Sequence, residues 1–332
     1  MTKRPRLLVV GGGSIGERHV RCFQQTQRVD VALCEPNPEV RAAVVQRCGL
    51  VESYDDFGTA VASRPEIAVI CTPAHLHISM ATVLIEAGCA VLIEKPLSVT
   101  LQGADELLAL SQARQATVGV AYVYRAHPAL QAMREALASG RFGAAVQVVA
   151  VFGQNFPFYR PAYREIYYRD RSTGGGAIQD ALTHVINAGQ WLVGPVTEVT
   201  ADAAHLLLDG VTVEDTVHML ARHEAVLANY SLNQHQCVNE GTLTVICERG
   251  MIRYETHHGR WSWADHPEAP WHVEPTAVLQ RDELFRRQAD AFLDAVEGKS
   301  PPLCSLQEGL QTLRVNIAAL RSLETRRWES PA

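Results

Sequence analysis

The sequence has no long apolar run, no surplus of positive charge and no paired cysteine motif. No apolar stretch approaches the roughly 18 residues of a membrane-spanning helix. The net charge of -6 excludes the global basic field that holds nucleic acids or anionic membranes. The apolar stretch Leu7–Val10 near the N-terminus is short and ends at glycines. This pattern is typical of a first strand and not of a signal peptide.

The eight cysteines and 13 histidines show none of the spacings of metal sites. There is no CxxC pair, no HExxH motif and no paired Cys/His module, and His257 and His258 lie in a polar loop. We therefore predict no bound metal. Several cysteines lie in apolar, strand-like segments, which is typical of buried free thiols in a reducing compartment and predicts a cytoplasmic protein.

The first part of the chain has the pattern of a parallel sheet. With 332 residues and an apolar fraction of 47%, the chain is long enough for roughly two domains. Short apolar segments alternate with helical patterns, which predicts a doubly wound α/β domain over residues 1–122. The predicted strands are Arg6–Val10, Val29–Cys34, Ile67–Cys71, Ala90–Ile93 and Thr117–Val120.

The second part, residues 123–332, is predicted to be an α+β domain with a large, mostly antiparallel open sheet. After a predicted helix, Pro128–Ala138, β-rich segments follow one another through short turns, and a helix, Leu306–Thr325, closes the chain. The predicted strands are Ala144–Phe152, Val196–Leu208, Thr216–Arg222, Ala225–Leu232, Gly241–Cys247 and Gly250–Tyr254. One sheet face of such a domain needs cover, so we expect a homodimer or homotetramer.

A GxGxxG motif, formed by Gly11, Gly13 and Gly16, directly follows the first predicted strand and opens a helix. The spacing suits a tight turn, a close approach of the backbone to a pyrophosphate, and close packing of helix on strand. The phosphates would lie over the helix N-terminus, at Ser14 and Ile15. This context predicts dinucleotide binding.

Glu35 follows the second predicted strand, where a carboxylate can accept hydrogen bonds from a ribose hydroxyl. Because a carboxylate at this position repels a 2′-phosphate, we predict NAD as the cofactor and disfavour NADP. Arg41 is the counter-indication, since its guanidinium could turn toward a phosphate, although it also suits a surface helix.

Lys95 lies in the triplet Glu94–Pro96 and closes the apolar strand Ala90–Ile93. The carboxyl ends of parallel strands line the ligand crevice of such sheets, so we expect Lys95 to contact a ligand. The alternative is a lysine at a strand end whose amine simply reaches solvent.

Asp180 and His184 lie in a predicted helix, Ala177–Leu192, that follows the triplet Gly174–Gly176. Their spacing of four residues places them side by side on the helix face opposite an apolar stripe. A carboxylate beside an imidazole raises its proton affinity and fixes its orientation, which suits a general acid/base. The alternative is an ordinary solvated polar helix face.

Residues 154–172 interleave aromatic side chains with arginines. Aromatic faces suit the C–H faces of a sugar, and arginines suit a carboxylate or phosphate. We select Tyr163 and Arg164 as candidate substrate contacts. A platform for nucleic acid would show the same mixture, but the net charge disfavours it, and a loop packed on a neighbouring subunit remains a further alternative.

Taken in order, the GxGxxG motif, Glu35, the EKP triplet and the GGGxxxDxxxH pattern resemble the Gfo/Idh/MocA oxidoreductase family. The resemblance covers nearly the whole chain. Further matches are Thr72, Pro73 and His77 with the family's TPNxxH cofactor loop, Tyr124, Arg125 and Pro128 with its YRxxP, and residues 140–143. Three residues depart from the pattern and affect cofactor-loop and site-supporting details: Ala74, Leu182 and Asn187.

The resemblance implies an NAD-dependent oxidoreductase that acts on a hydroxyl or keto carbon of a sugar, an inositol-like polyol or a sugar derivative. His184 would take the proton from the substrate hydroxyl, Asp180 would orient His184, and Lys95 would hydrogen-bond the reacting oxygen. The implied cofactor contacts are Gly11, Gly13, Ser14, Ile15, Gly16, Glu35, Thr72, Pro73, His77, Glu94 and Lys95. The candidate substrate contacts are Arg125, Tyr163 and Arg164.

Two other functions remain open at this point. Some relatives in this family resemble glycosidases, so a hydrolase or lyase that uses tightly held NAD for transient oxidation fits the same residues. A non-catalytic dinucleotide sensor is disfavoured because all three proton-handling residues are present.

Overall fold

The computed structural model describes residues 4–276 and 279–331, which form two compact units. One unit contains the chain up to Ala126 together with Gln280–Leu310, and the other contains His127–Leu279 and the chain from Gln311 onward. The sequence analysis divides the chain once, between residues 122 and 123. The structure instead returns residues 280–310 to the first unit.

The first unit is built on a six-stranded parallel sheet with the strand order β3-β2-β1-β4-β5-β6. The strands are β1 (Arg6–Val10), β2 (Asp30–Cys34), β3 (Ser53–Tyr54), β4 (Ile67–Ile70), β5 (Ala90–Ile93) and β6 (Val118–Val120). The helices of this unit are α1 (Ser14–Gln25), α2 (Pro38–Cys48), α3 (Phe57–Ala62), α4 (His77–Glu86), α5 (Ala104–Ala113) and α9 (Glu283–Val296). This order confirms the predicted doubly wound sheet and puts its switch point between β1 and β4.

Helix α9 explains why the chain returns to the first unit. Its buried residues Ala289, Phe292 and Leu293 pack into the same apolar cluster as Val20 and Phe23 of α1. The three residues recur at helical spacing, so an apolar stripe was present in the sequence, although the sequence analysis did not select this helix.

Ion pairs tie the same two helices together at their surface. Asp282, just before α9, forms ion pairs with Arg18 at 3.2 Å and with Arg21 at 3.1 Å. Arg28, beyond the end of α1, pairs with Asp294 at 2.8 Å and with Glu297 at 2.6 Å. These pairs are partly exposed, so they contribute less to stability than the apolar contact beneath them.

The second unit contains an eight-stranded sheet with the order β14-β13-β12-β11-β7-β10-β9-β8, in which only β10 and β7 pair in parallel. The strands are β7 (Ala145–Asn155), β8 (Glu198–Ala204), β9 (Thr216–His223), β10 (Val226–Asn233), β11 (His235–Cys247), β12 (Gly250–Glu255), β13 (Arg260–Ala264) and β14 (His272–Glu274). The predicted mostly antiparallel sheet is confirmed. The sequence analysis missed β13 and β14 at the sheet edge.

Helix α8 (Thr183–Val193) lies on one face of this sheet. A Cβ atom at Gly189 would lie 2.1 Å from the hydroxyl oxygen of Tyr230 in β10, so a glycine is required for this close approach. The same hydroxyl lies 2.8 Å from Nε2 of His223 in β9. The remaining helices that begin after Ala126 are α6 (Pro128–Ala138), α7 (Phe156–Tyr159) and α10 (Leu306–Thr325), and Asn187 of α8 donates to Thr312 of α10 at 2.9 Å.

Two further sequence predictions concern the described residues. None of their helices combines the length and the apolar character needed to cross a bilayer. All eight cysteines are free thiols, and most are buried. Burial raises the pKa of thiols such as Cys22 and Cys89 to about 11, which keeps them protonated and unreactive at neutral pH.

Candidate active site

The glycine turn between β1 and α1 has the shape that a dinucleotide requires. Gly11 has φ +101°, and a Cβ atom there would lie 2.8 Å from the carbonyl oxygen of Cys71. A Cβ atom at Gly16 would lie 1.9 Å from the carbonyl oxygen of Gly11, so α1 packs directly on the turn. At Gly13, by contrast, a Cβ atom would meet nothing within 4 Å. Gly13 and Ser14 are exposed, which leaves the backbone at the N-terminus of α1 open to a pyrophosphate.

The Glu35 carboxylate is held against this turn. Its Oε2 accepts from the backbone N–H of Gly12 at 2.7 Å, and its Oε1 accepts from that of Asn37 at 2.9 Å. Nη1 of Arg41 donates to the carbonyl oxygen of Glu35 at 2.6 Å. The guanidinium of Arg41 is therefore occupied by the backbone, while the carboxylate lies beside the glycine turn.

His77 connects the loop at Thr72 to the residues after Lys95. Its ring is 1% exposed, with Nε2 2.8 Å from the Thr72 carbonyl oxygen and Nδ1 3.0 Å from that of Pro96. Burial lowers the pKa of His77 and outweighs the opposing effects of these carbonyls and of Glu94. A neutral imidazole donates to only one of these two carbonyl oxygens. The buried ring contacts both segments and is not presented to solvent.

Glu94 is a buried carboxylate that holds the backbone of Lys95. Its Oε1 accepts from Nε2 of His19 at 2.7 Å, and its Oε2 accepts from the Lys95 N–H at 3.0 Å. Burial raises the pKa of Glu94, but the hydrogen bond and charge of His19, with Lys95, lower it further than burial raises it. The sequence analysis missed His19, whose signal was a histidine on the buried side of α1, three residues after Gly16.

In the second unit, the predicted continuous α-helix Ala177–Leu192 is wrong at its start. Residues Ile178–Leu182 form a π-helical turn, and the α-helix begins at Thr183. Asp180 thus lies in the π turn and His184 in the first turn of α8, so ideal α-helical spacing does not relate them. Inserted π turns of this kind occur often at functional sites.

Burial does not fit a solvated polar helix face here. Asp180 is 8% exposed and Asn187 is 1% exposed, while His184 is partly buried. The Oδ1 atom of Asp180 accepts a hydrogen bond from the hydroxyl of Tyr167 at 2.6 Å. A buried carboxylate with a phenol donor is consistent with a functional acid, and Tyr167 was not selected in the sequence analysis.

The glycines of the GGG triplet allow the chain to enter the π turn. Gly174 has φ +101° and Gly176 has φ +95°, in the left-handed region that favours glycine. A Cβ atom at Gly175 would lie 2.1 Å from the carbonyl oxygen of Tyr168. The triplet therefore reflects a tight backbone crossing that brings residues 167–168 against the start of the π turn.

The candidate substrate contacts have intramolecular partners. Arg125 is 2% exposed and donates from Nη1 to Glu308 at 2.5 Å. Tyr163 is 1% exposed and donates its hydroxyl proton to the carbonyl oxygen of Asp209 at 2.7 Å, and Nε of Arg164 donates to the same oxygen at 2.8 Å. Arg125 and Tyr163 are buried with these partners, so we do not assign a substrate to them. The Arg164 side chain is 49% exposed, and its contact with a substrate stays a prediction.

One group of potential metal ligands lies apart from these residues. Ligand atoms of Glu255, His257 and His258 lie within 4.8 Å of one another. The Glu255 carboxylate accepts from Nε of Arg260 at 2.8 Å. The guanidinium would repel a cation bound to this carboxylate, so we assign no metal to the group.

The family of the chain follows from two family models. Residues 6–122 match the model described as "Oxidoreductase family, NAD-binding Rossmann fold", and residues 130–253 match the "GFO/IDH/MocA C-terminal domain". The chain belongs to the Gfo/Idh/MocA family. The resemblance stated from the sequence motifs is thereby confirmed, and so is the membership of an oxidoreductase family.

Relatives of this chain include dehydrogenases of a sugar and of a sugar derivative. The chain is 27% identical over 204 residues to levoglucosan dehydrogenase of Pseudarthrobacter phenanthrenivorans, a match that covers 58% of this chain and 52% of that protein. It is 24% identical over 337 residues to UDP-N-acetylglucosamine 3-dehydrogenase of Acidithiobacillus ferrooxidans, a match that covers 94% of each.

A solved member of the family has the same fold. The structure of levoglucosan dehydrogenase in complex with NADH and levoglucosan has a TM-score of 0.90 and 20% sequence identity, over 99% of each chain. At this identity the likeness establishes the fold and not the substrate.

Proposed function

We propose that this member of the Gfo/Idh/MocA family is an NAD-dependent dehydrogenase acting on a hydroxyl-bearing carbon of a sugar, a cyclic polyol or a sugar derivative. The observation that carries the proposal is the buried Asp180, hydrogen-bonded to Tyr167 in a π turn and followed by His184. The glycine turn at Gly11–Gly16 supports a dinucleotide as the partner in the reaction. Together these features supply a proton acceptor and a place for a redox cofactor.

The residues of the first unit fit the cofactor. Bound NAD would supply the hydride acceptor at its nicotinamide ring. The backbone of Gly13 and Ser14 would hold the pyrophosphate, and the Glu35 carboxylate would accept from a ribose hydroxyl. Thr72 and Pro73 would border the nicotinamide half, where the buried ring of His77 fixes their loop.

The proton chemistry is assigned to three side chains. His184 takes the proton of the substrate hydroxyl as the carbon is oxidised, and Asp180 orients the imidazole and balances its positive charge. Lys95, whose backbone Glu94 holds, donates a hydrogen bond to the substrate oxygen and stabilises its developing negative charge.

A substrate screen tests the proposal. The purified protein is incubated with NAD and a panel of sugars, inositols and sugar acids, and NADH formation is followed by absorbance while products are analysed by mass spectrometry. Net NADH formation with one class of compound is the expected result. Conversion of a glycoside without net NADH would support the hydrolase or lyase alternative, and no conversion across a broad panel would contradict the dehydrogenase proposal.

Cofactor selectivity is a prediction that rests on Glu35. We expect NAD to bind at least about tenfold more tightly than NADP, a difference of roughly 1.4 kcal/mol. Titration calorimetry with both cofactors measures this difference in affinity, and Glu35→Ser should reduce it. Glu39→Ser, which removes a carboxylate from the first turn of α2, is the control and should leave the difference intact. Equal affinities in the unmodified protein would contradict the prediction.

Oligomer formation is a second prediction, and it rests on the sheet face opposite α8. Leu220, Leu227 and Val151 lie on that face in the neighbouring strands β9, β10 and β7, and each is about half exposed (53%, 52% and 48%). We propose that this face forms a homodimer or homotetramer interface. Light scattering at micromolar concentration should report an oligomer, and Leu227→Glu should dissociate it.

Leu206→Glu is the matched control for this interface. Leu206 is 63% exposed and lies outside the strands, so its substitution adds the same charge without touching the sheet face. A monomeric unmodified protein, or the same loss of oligomer in both variants, would contradict the prediction.

A further inference from the structure

The contact between Tyr167 and Asp180 joins an exposed side chain to a buried acid. Tyr167 is 43% exposed, whereas Asp180 is 8% exposed, and their side-chain oxygens are 2.6 Å apart. The phenol is the donor, because an ionised carboxylate only accepts. Hydrogen bonds from a neutral donor to an ionised acceptor are shorter and stronger than those between neutral groups.

Its neighbour Tyr168 anchors Tyr167 in place. The Tyr168 ring is fully buried. Its centroid lies 4.4 Å from the ring centroid of Phe156 and 6.1 Å from that of Tyr163. Its hydroxyl donates to Oε1 of Gln234, and burial strongly raises its pKa, so it stays protonated. The buried aromatic cluster holds Tyr168, and the adjacent residue Tyr167 directs its hydroxyl to Asp180.

The backbone around Tyr167 is held as well. Oγ1 of Thr173 donates to the carbonyl oxygen of Tyr167 at 2.7 Å, and the N–H of Gly175 donates to the carbonyl oxygen of Asp170 at 2.9 Å. With the close approach of Tyr168 to Gly175, these contacts close residues 167–175 into a compact loop. These backbone contacts of the loop therefore hold Tyr167 in place.

The π turn that carries Asp180 is fixed from its other side by Glu214. The backbone oxygen of Glu214 accepts from the N–H of Ala177 at 2.8 Å, and its Oε1 accepts from that of Ile178 at 3.2 Å. Glu214 is 2% exposed and pairs with Arg171 of the same loop at 2.7 Å. Glu214 thus contacts both the loop and the π turn, which fixes the position of Tyr167 relative to Asp180.

We propose that Tyr167 is a positioning residue for Asp180, which it holds in one orientation and keeps ionised. This role rests on the proposed function, in which Asp180 orients and charge-balances His184. A donor to the carboxylate favours the charged form of Asp180 and withdraws part of its basicity. The hydroxyl of Tyr167 thereby sets how strongly Asp180 stabilises a protonated His184, and so the pH range in which His184 accepts a proton.

Tyr167→Phe tests the proposal because it removes only the hydroxyl. We expect kcat to fall roughly ten- to hundredfold, in keeping with one lost hydrogen bond to a charged group, while KM and NAD affinity change little. Without its donor, Asp180 binds a proton more readily and stabilises the imidazolium more strongly. The rising limb of oxidation rate against pH should therefore move to higher pH by about half to one unit, as a property of the coupled pair.

Two other tyrosines in the segment provide matched controls. Tyr159→Phe removes a hydroxyl from a half-exposed ring whose described contact is with Phe158, and it should change neither kinetics nor stability. Tyr163→Phe removes a buried structural hydrogen bond to Asp209, so it should lower the thermal unfolding temperature without moving the pH profile. Unchanged kcat and pH profile in Tyr167→Phe would overturn the proposal, as would equal pH shifts in Tyr163→Phe.

A readout that needs no substrate separates this inference from the proposed function. The carboxyl carbon of Asp180, assigned by comparison with Asp180→Asn, is followed by carbon-13 NMR across pH. The Asp180 carboxyl should titrate at higher pH in Tyr167→Phe than in the unmodified protein. If no compound is oxidised but this shift is seen, the proposed function fails while control of the Asp180 charge by Tyr167 stands; if oxidation occurs and the NMR titrations coincide, the inference fails.

Discussion

Replacement of His184 by alanine is expected to lower turnover by at least about a hundredfold, because a positioned general base contributes about 10² to 10⁴ in rate. Affinity for NAD should change little, since the cofactor is assigned to residues of the first unit and His184 lies in α8 of the second. Steady-state kinetics with the identified substrate and calorimetry with NAD measure the two quantities separately. A loss confined to kcat indicates a chemical role.

The pH dependence of the same variant gives a second criterion. In the oxidative direction the base must be neutral to accept a proton, so the rate rises with pH as the imidazole loses its proton. This limb should be absent from His184→Ala. His266→Ala, at an exposed loop position, is the control and should keep both the limb and the rate. Near-normal turnover and an unchanged profile in His184→Ala would leave His184 with only a structural role.

Much of the fold could be predicted from local pattern. The β1 strand, Arg6–Val10, and the closing helix, Leu306–Thr325, are found at the predicted residues because their apolar patterns are strong and because glycines end β1. The two-residue strand β3, the edge strand β14 and its neighbour β13 were missed. Such short or edge strands carry little periodic signal, and their pairing depends on neighbours distant in the sequence.

Only those residues of the candidate site that belong to sequence motifs could be predicted. Glycine spacing and the EKP triplet select Gly13 and Lys95 as candidates without knowledge of tertiary structure. The π turn at Asp180 was not predictable, since it follows a loop, residues 167–175, that closes on Gly175, and since Glu214, far along the chain, anchors Ala177. Long-range packing of this kind overrides helical periodicity.

Dependence on long-range packing also explains why tyrosines of the aromatic and arginine-rich segment, residues 154–172, have different surroundings. Composition made Tyr163 as plausible a ligand contact as Tyr167. In the structure Tyr163 and Tyr168 enter a buried cluster with Leu208, Val211 and Val213, while the hydroxyl of Tyr167 reaches Asp180. Which tyrosine is buried depends on the packing partners, and these lie about 40 residues further along the chain.

Lys95→Ala is expected to have the other large effect, a fall in kcat of about 10² to 10³, the range for removal of one donor to a developing oxyanion, roughly 2.7 to 4 kcal/mol. The geometry behind this expectation is the buried carboxylate of Glu94, which accepts from His19 and from the Lys95 N–H. A strand end fixed in this way presents the lysine with little further loss of backbone freedom. KM and NAD affinity are also expected to weaken modestly, because the lysine would lie near both nicotinamide and substrate.

A second substitution at the same position separates the amine from the aliphatic stem. Lys95→Met keeps most of the stem and removes the charge, so it should be about as slow as Lys95→Ala if the amine acts on the substrate oxygen. Lys299→Ala removes an exposed lysine of the same unit, paired with Glu297, and should leave turnover unchanged. Rapid turnover in both Lys95 variants would support the alternative, in which Lys95 is a strand-end lysine whose amine simply reaches solvent. Slow turnover in Lys95→Ala with recovery in Lys95→Met would instead place its contribution in packing of the stem, and the charge of the amine would then have no part in the chemical step.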